Sequence, residues 1–156
     1  MTTIKTSSLT PPQKEEIFKL WNSVSPAHIS HDTVESLDKY LGTLDNVVYT
    51  LTLNDSNRIV GWFADFDREN GRWFAMLLDK SIHGKGVGSQ LLTQLKTRFN
   101  QVSGWVIDHN DDFRLDGKSY ISPVNFYLKN GFELTSDTRL EVGQLSCVKM
   151  SWKKSQ

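Results

Sequence analysis

Residues 77–89 of the 156-residue chain, Leu77-Leu78-Asp79-Lys80-Ser81-Ile82-His83-Gly84-Lys85-Gly86-Val87-Gly88-Ser89, run from an apolar strand through a glycine-rich turn into a helix. Val87, Leu91, Leu92, Leu95 and Phe99 recur at roughly helical spacing, which gives that helix one buried face and fixes the direction of its first turn. The first N–H groups of a helix have no intrahelical partner and lie at the positive end of the macrodipole. They are placed to hold a phosphate. Gly84, Gly86 and Gly88 have no Cβ and can reach positive φ, so the backbone can close around such an anion. Ser89 either adds a hydroxyl donor or is a solvated first-turn serine.

Three phosphate cradles are compatible with glycines in such a turn, and the spacing separates them. The Walker pattern fails because Gly86 follows Gly84-Lys85 and Asp79 stands where the leading glycine belongs. The dinucleotide fingerprint fails at its third glycine, where Ser89 stands, although Asp108 falls near the position of a ribose-binding acid. Too few strand–helix units follow Asp108 for that fold. The segment His83-Gly84-Lys85-Gly86-Val87-Gly88 instead resembles the Q/R-x-x-G-x-G/A pyrophosphate loop of the GNAT superfamily of N-acetyltransferases, with His83 in place of the usual Gln or Arg. A second block, Ser122-Pro123-Val124-Asn125-Phe126-Tyr127-Leu128-Lys129-Asn130-Gly131-Phe132, is similar to the superfamily's A-x-x-F-Y-x-K-x-G-F segment. Pro123 replaces the commoner Ala, and Tyr120 precedes where Asn is frequent. Both motifs lie in the C-terminal half; the N-terminal half supports the resemblance through its order of elements.

Length and composition limit the alternatives. A chain of 156 residues without a repeat or linker reads as one domain, 1–156. Its 18 basic and 18 acidic residues balance, leaving no excess positive charge for nucleic-acid binding. No apolar run resembles a signal peptide or is long enough to span a bilayer, so the expected location is cytoplasmic, with neither nucleic acid nor membrane as partner. Cys147 is the single cysteine and reads as a small buried hydrophobe. The four histidines show no metal-ligand spacing, and no metal is expected.

The elements that must position the cradle follow in order. A strand over 4–8 leads to a helix from Pro11, capped by Thr10, to about Trp21. After a break over 23–31 comes a second helix over 34–41 with Gly42 at its end. Strands over 47–53, 59–66 and 72–78 are separated by short polar turns and form an antiparallel meander. The glycine-rich turn and its helix then cross over to a strand at 102–107, which joins in parallel. Ser122 and Pro123 supply the N-cap and first residue of a last helix ended by Gly131, and strands over 133–140 and 145–152 follow. The fold class is therefore α/β (α+β), with a mixed, mostly antiparallel central sheet and helices on both faces. This is the GNAT order.

The resemblance implies a site and a reaction. Acetyl-CoA is the implied co-substrate, its pantetheine arm lying between strands 72–78 and 102–107. Backbone groups of Met76, Leu77 and Leu78 would meet the pantetheine and acetyl carbonyl, and His83, Gly84, Lys85, Gly86, Val87, Gly88 and Ser89 the pyrophosphate. Tyr127 would be the general acid facing the departing thiolate. With reference pKa values of about 10 for tyrosine and about 8.5 for a thiol, that transfer is uphill by about 2 kcal/mol. Some family members place a basic Glu early in the strand before the loop, where Arg72 stands here. Asp65, Asp108 and His109 are the candidate bases. The long segment 108–121 carries Asp108, Asp111, Asp112 and Asp116, which favour a cationic acceptor, while His28 and His31 are either acceptor contacts or exposed loop histidines. The implied reaction is acetyl transfer to a primary amine of a small molecule or peptide by direct attack in a ternary complex; a homodimer is compatible with it. The alternative is a non-catalytic acyl-CoA-binding or sensor module.

Overall fold

A computed structural model describes residues 1–155. Seven strands form one sheet in the order β1-β2-β3-β4-β5-β7-β6, with β1 (Thr2–Thr6), β2 (Asp45–Leu53), β3 (Ile59–Arg68), β4 (Gly71–Leu78), β5 (Gln101–Val106), β6 (Glu133–Val142) and β7 (Leu145–Lys153). Every neighbouring pair is antiparallel except β4 and β5. The helical crossover α3 (Val87–Arg98) joins those two strands, which makes them parallel. This is the mixed, mostly antiparallel sheet that the order of sequence elements implies.

Consecutive side chains on a strand point to opposite faces, so Trp62 and Phe63, and again Trp73 and Phe74, seed two separate cores. Trp62, Ala64, Phe66 and Trp73 pack with Ile17 and Leu20 of α1 (Pro11–Val24) and Leu37 and Leu41 of α2 (Val34–Leu41). Phe63, Phe74, Val102 and Met150 pack with Leu91, Leu92 and Leu95 of α3 and with Tyr127 of α4 (Val124–Lys129). Trp73 to Leu78 reads as apolar on both faces for this reason.

Several boundaries differ from the sequence expectation. Strand β1 begins at Thr2 and ends at Thr6, because its register is set by pairing along β2 from Leu53 back to Tyr49. Thr10 caps α1 through a reciprocal bond with Gln13, but the helix runs to Val24, past Trp21. Gly42 is the C-cap of α2 with φ −66°, so it does not use a glycine's positive-φ freedom. Pro123, expected as the first helical residue, is the N-cap of α4, and Ser122 lies one residue earlier. Ser122 still serves the helix start: its Oγ accepts from the Val124 N–H and donates to the Ile107 carbonyl.

Candidate active site

The parallel pairing of β4 with β5 is confined to Trp73 and Ser103, near the start of both strands. Beyond that point the β5-facing edge of β4 has no ladder partner, although β4 stays paired with β3 as far as Leu78 opposite Gly61. Residues 75–78 are half-buried even though β4 is central in the sheet. The two strands thus make a V that opens toward Met76, Leu77 and Leu78 on one side and Ile107 on the other. A cavity of about 880 Å³ lined by Asp67, Arg68, Arg72, Trp73 and Lys149 lies at the opposite, closed end.

The glycine-rich turn closes the open end. Gly84 and Gly86 have φ of +73° and +79°, and a Cβ added at either would meet nothing within 4 Å. Those glycines are needed for backbone conformation. Gly88 has a different reason: a Cβ there would stand 2.8 Å from Phe126 Cζ and 3.2 Å from Leu78 Cδ1, so its absence lets α3 pack on α4 and β4. The N–H groups of Gly84, Lys85 and Gly86 make no backbone hydrogen bond, and the first intrahelical bond beside the turn is from the Gln90 N–H to the Gly86 carbonyl. With the first-turn N–H groups of Val87, Gly88 and Ser89, the chain presents a row of unengaged donors that fits a pyrophosphate. His83 does not join them through its own donors. Its backbone N–H donates to Lys80, and its Nε2 lies 2.9 Å from the Leu78 carbonyl, folding the ring back onto the end of β4.

Tyr127 is held among Phe74, Phe126 and Phe132, with ring centroids 5.9, 5.1 and 5.7 Å away. Its side chain is buried, yet no described residue hydrogen-bonds to its hydroxyl. Burial, reinforced by nearby Tyr120, pushes its pKa well above the usual tyrosine value. Complete proton donation is therefore harder than free-tyrosine values imply; donating a hydrogen bond to a growing negative charge fits this environment better.

The three bases nominated from sequence are otherwise engaged. Asp65 is 0% exposed and accepts from Arg72 Nε and Nη2 at 2.9 and 2.5 Å and from both Nη atoms of Arg98 at 3.0 Å. It is the buried anion shared by two guanidinium groups, of which Arg72 also pairs with Asp67. This corrects its nomination, and it also gives Arg72 a structural partner. Asp108 takes a bidentate bond from Arg139 of β6 at 2.9 and 3.0 Å, and that guanidinium holds its carboxyl below the ordinary range. His109 Nδ1 accepts from the Asp111 N–H at 3.1 Å, which puts the ring proton on Nε2 and occupies the lone pair a base would need. All three already accept hydrogen bonds from neighbouring groups.

The long segment 108–121 is less acidic in effect than its composition implies, since Asp108 is matched by Arg139 and Asp116 by Arg114. It also reaches across the molecule. The Ala27 N–H donates to the Phe113 carbonyl at 2.8 Å, and Pro26 bridges to Arg114, docking the loop on the segment between α1 and α2. His28 Nε2 then lies 3.0 Å from Asp112 Oδ2, with both side chains 11% exposed. Both segments stand out in the sequence, but no local signal joins them, because residues 84 positions apart meet only through tertiary folding.

A strand gap facing a row of backbone donors, on a seven-stranded sheet with one parallel pair, defines an acyl-CoA-dependent acetyltransferase fold. The profile of the Acetyltransferase (GNAT) domain matches residues 13–154. The chain belongs to the GNAT acetyltransferase family. An aminoglycoside 6'-N-acetyltransferase complexed with coenzyme A superposes with a TM-score of 0.72 at 12% identity, covering 98% of this chain and 97% of that one. The phosphinothricin acetyltransferase of Sinorhizobium meliloti in complex with acetyl-CoA gives 0.65 at 17% identity, covering 99% and 90%. The aminoglycoside 6'-N-acetyltransferase of Enterococcus faecium gives 0.68 at 12%, covering 98% and 97%. These likenesses concern the fold. No curated protein matches by sequence. Among the described residues no helix is long and apolar enough to cross a membrane, and no group of three or more His, Cys, Asp or Glu is placed to hold a metal ion.

Proposed function

We propose that this protein transfers an acetyl group from acetyl-CoA to a primary amine by direct attack in a ternary complex. The observation that carries the proposal is the opening of β4 from β5 after the single Trp73–Ser103 pair, directly in front of the unengaged N–H groups of residues 84–89. In this reading those N–H groups and the first turn of α3 hold the pyrophosphate. Lys85 adds a flexible positive charge, and His83 shapes the turn. The unpaired edge of β4 at Met76 and Leu77 orients the pantetheine arm and polarises the acetyl carbonyl, supplying the hydrogen bonds that strengthen as an oxyanion forms. The Leu78 carbonyl is already engaged by His83. Tyr127 donates a hydrogen bond where charge gathers on the departing sulfur. What binding supplies is an activated thioester; what the chain supplies is its orientation and the stabilisation of two developing charges.

The engagement of Asp65, Asp108 and His109 favours, by contrast, a module that binds acyl-CoA without turning it over. One experiment separates the readings: release of CoA from acetyl-CoA, followed with a thiol reagent, across simple primary amines such as benzylamine, tyramine and putrescine. Amine-dependent release well above background hydrolysis is expected. Tight binding of acetyl-CoA by calorimetry, with no amine-dependent release, would establish the sensor reading instead.

A further inference from the structure

We infer that His28, oriented by Asp112, is the general base of the transfer, accepting the acceptor amine's proton at Nδ1. This assignment rests on the proposed acetyltransferase activity and supplies the group that activity lacks. Its basis is the placement of three polar atoms that converge without satisfying one another. His28 Nε2 and His109 Nε2 lie 3.0 and 3.9 Å from the same Asp112 oxygen, and all three atoms are shut off from solvent with no aligned hydrogen bond. The His28–Asp112 contact is at ion-pair distance but bent, a common state of catalytic pairs before substrate completes them.

Asp112 decides the tautomer. A carboxylate facing Nε2 favours the proton on that nitrogen, which leaves the lone pair on Nδ1. No described residue hydrogen-bonds to His28 Nδ1. His109 faces Asp112 with its own Nε2–H, because its Nδ1 is occupied by the Asp111 N–H. At 3.9 Å it makes no hydrogen bond to the Asp112 oxygen, and its Nε2–H is a second polar group facing the carboxylate. Asp112 in turn stabilises the imidazolium that forms when Nδ1 takes a proton.

Asp112 sits on the loop that leaves the C-terminal end of β5, the end at which β4 and β5 part. The Ser122 Oγ donates to the Ile107 carbonyl, and the Tyr120 N–H donates to the Asp112 carbonyl at 2.9 Å, tying the root of the loop to α4 and so to Tyr127. Burial, reinforced by Asp112, pushes the Tyr120 pKa up, and Tyr120 in turn adds to the rise at Tyr127, which places Tyr120 between the two. The His28 backbone is also fixed. Trp21 Nε1 donates to the Ile29 carbonyl at 2.8 Å, and Asn22 exchanges two bonds with the His31 backbone at 2.8 and 2.9 Å. Of the other charged groups nearby, Arg114 pairs with Asp116 and His31 Nδ1 lies 2.8 Å from Ser36 Oγ, while the 92% exposed Asp111 side chain keeps Oδ2 3.7 Å from His109 Nδ1.

The step balances. An incoming ammonium gives one proton to Nδ1; the freed lone pair forms the C–N bond at the acetyl carbonyl carbon. Collapse breaks the C–S bond with its electron pair leaving on sulfur. The second proton lost by nitrogen neutralises the thiolate, and Nδ1 returns its own to water.

Two measurements on the full chain test this. Long-range proton–nitrogen NMR of the neutral histidine rings should show the Nε2–H tautomer at His28, and Asp112→Asn should shift that tautomer balance. A resting Nδ1–H tautomer in the wild type overturns the assignment whatever the activity. Kinetically, His28→Asn should lower kcat at neutral pH by about 10²- to 10⁴-fold with acetyl-CoA affinity by calorimetry unchanged. The deficit should shrink as pH approaches the amine's own pKa, near 10, where substrate arrives deprotonated. Asp137→Asn, on an exposed position of β6 outside this cluster, is the control and should behave as wild type. An active wild type whose His28→Asn variant keeps its rate, or loses it equally at all pH values, overturns the base assignment alone. A wild type that binds acetyl-CoA but acetylates no amine overturns the transferase reading as well.

Discussion

Gly86 and Gly88 lie two residues apart in the same turn and should fail in different ways when substituted. Gly86 has φ +79° and open space where a Cβ would go, so Gly86→Val meets no clash. Its cost is the left-handed backbone, roughly 1–2 kcal/mol, against a total stability of about 5–15 kcal/mol. The protein should remain folded. To relieve that strain the backbone must rotate, and its N–H groups then turn away from the cradle. A hydrogen bond to a charged group contributes about 1.5–3 kcal/mol, so losing one should weaken CoA binding roughly 10- to 150-fold. Gly88→Ala instead places a Cβ 2.8 Å from Phe126 Cζ, and relieving the contact requires the half-buried Phe126 ring to shift or α3 to move from α4. Overpacking of this kind costs about 1–3 kcal/mol, which for a domain of this size lowers Tm by roughly 2–12 °C. Calorimetric titration with CoA and thermal unfolding of both variants provide the comparison. Unchanged CoA affinity in a folded Gly86→Val protein would remove the backbone cradle from the mechanism, and an unchanged Tm in Gly88→Ala would refute the packing explanation.

Tyr127→Phe preserves the ring contacts with Phe74 and Phe132, so it should leave Tm nearly unchanged while lowering kcat by about tenfold or more with little change in the KM for acetyl-CoA; steady-state kinetics showing normal turnover would return Tyr127 to a packing role. Asp65→Asn removes the buried anion between Arg72 and Arg98 and should destabilise by roughly 3–5 kcal/mol, or about 6–20 °C in Tm, with turnover per folded molecule unchanged. A stable Asp65→Asn protein that has lost turnover would restore Asp65 as a base. Because Arg139 depresses the Asp108 carboxyl, the pair's contribution is present above the unfolded value of about 3.9 and is lost as pH falls through the lower folded value. Arg139→Gln should raise the Asp108 pKa toward that ordinary value in an NMR titration, and an unmoved Asp108 would rule out the Arg139 guanidinium as the cause of the depression.

Local chemistry made much of this protein readable from its sequence. The cradle is legible because Gly84, Gly86 and Gly88 meet requirements of backbone conformation and close packing that few other residues meet. The meander and its crossover follow from turn residues and apolar periodicity, and the two opposed faces of β4 follow from Trp73 and Phe74 standing side by side. Only the tertiary structure decided which polar groups remain free. Asp65, Asp108 and His109 are plausible bases by residue type, but they already accept from Arg72, Arg98, Arg139 and the Asp111 N–H. His83 looks like a ligand-binding side chain until its ring folds onto the Leu78 carbonyl. His28 and Asp112 look unrelated until the Ala27–Phe113 hydrogen bond brings their segments together. Helix caps, turns and glycine conformations depend on residues close in sequence. A lone pair's availability depends on whichever distant group folds against it, and that partner is set by the packing of the whole chain.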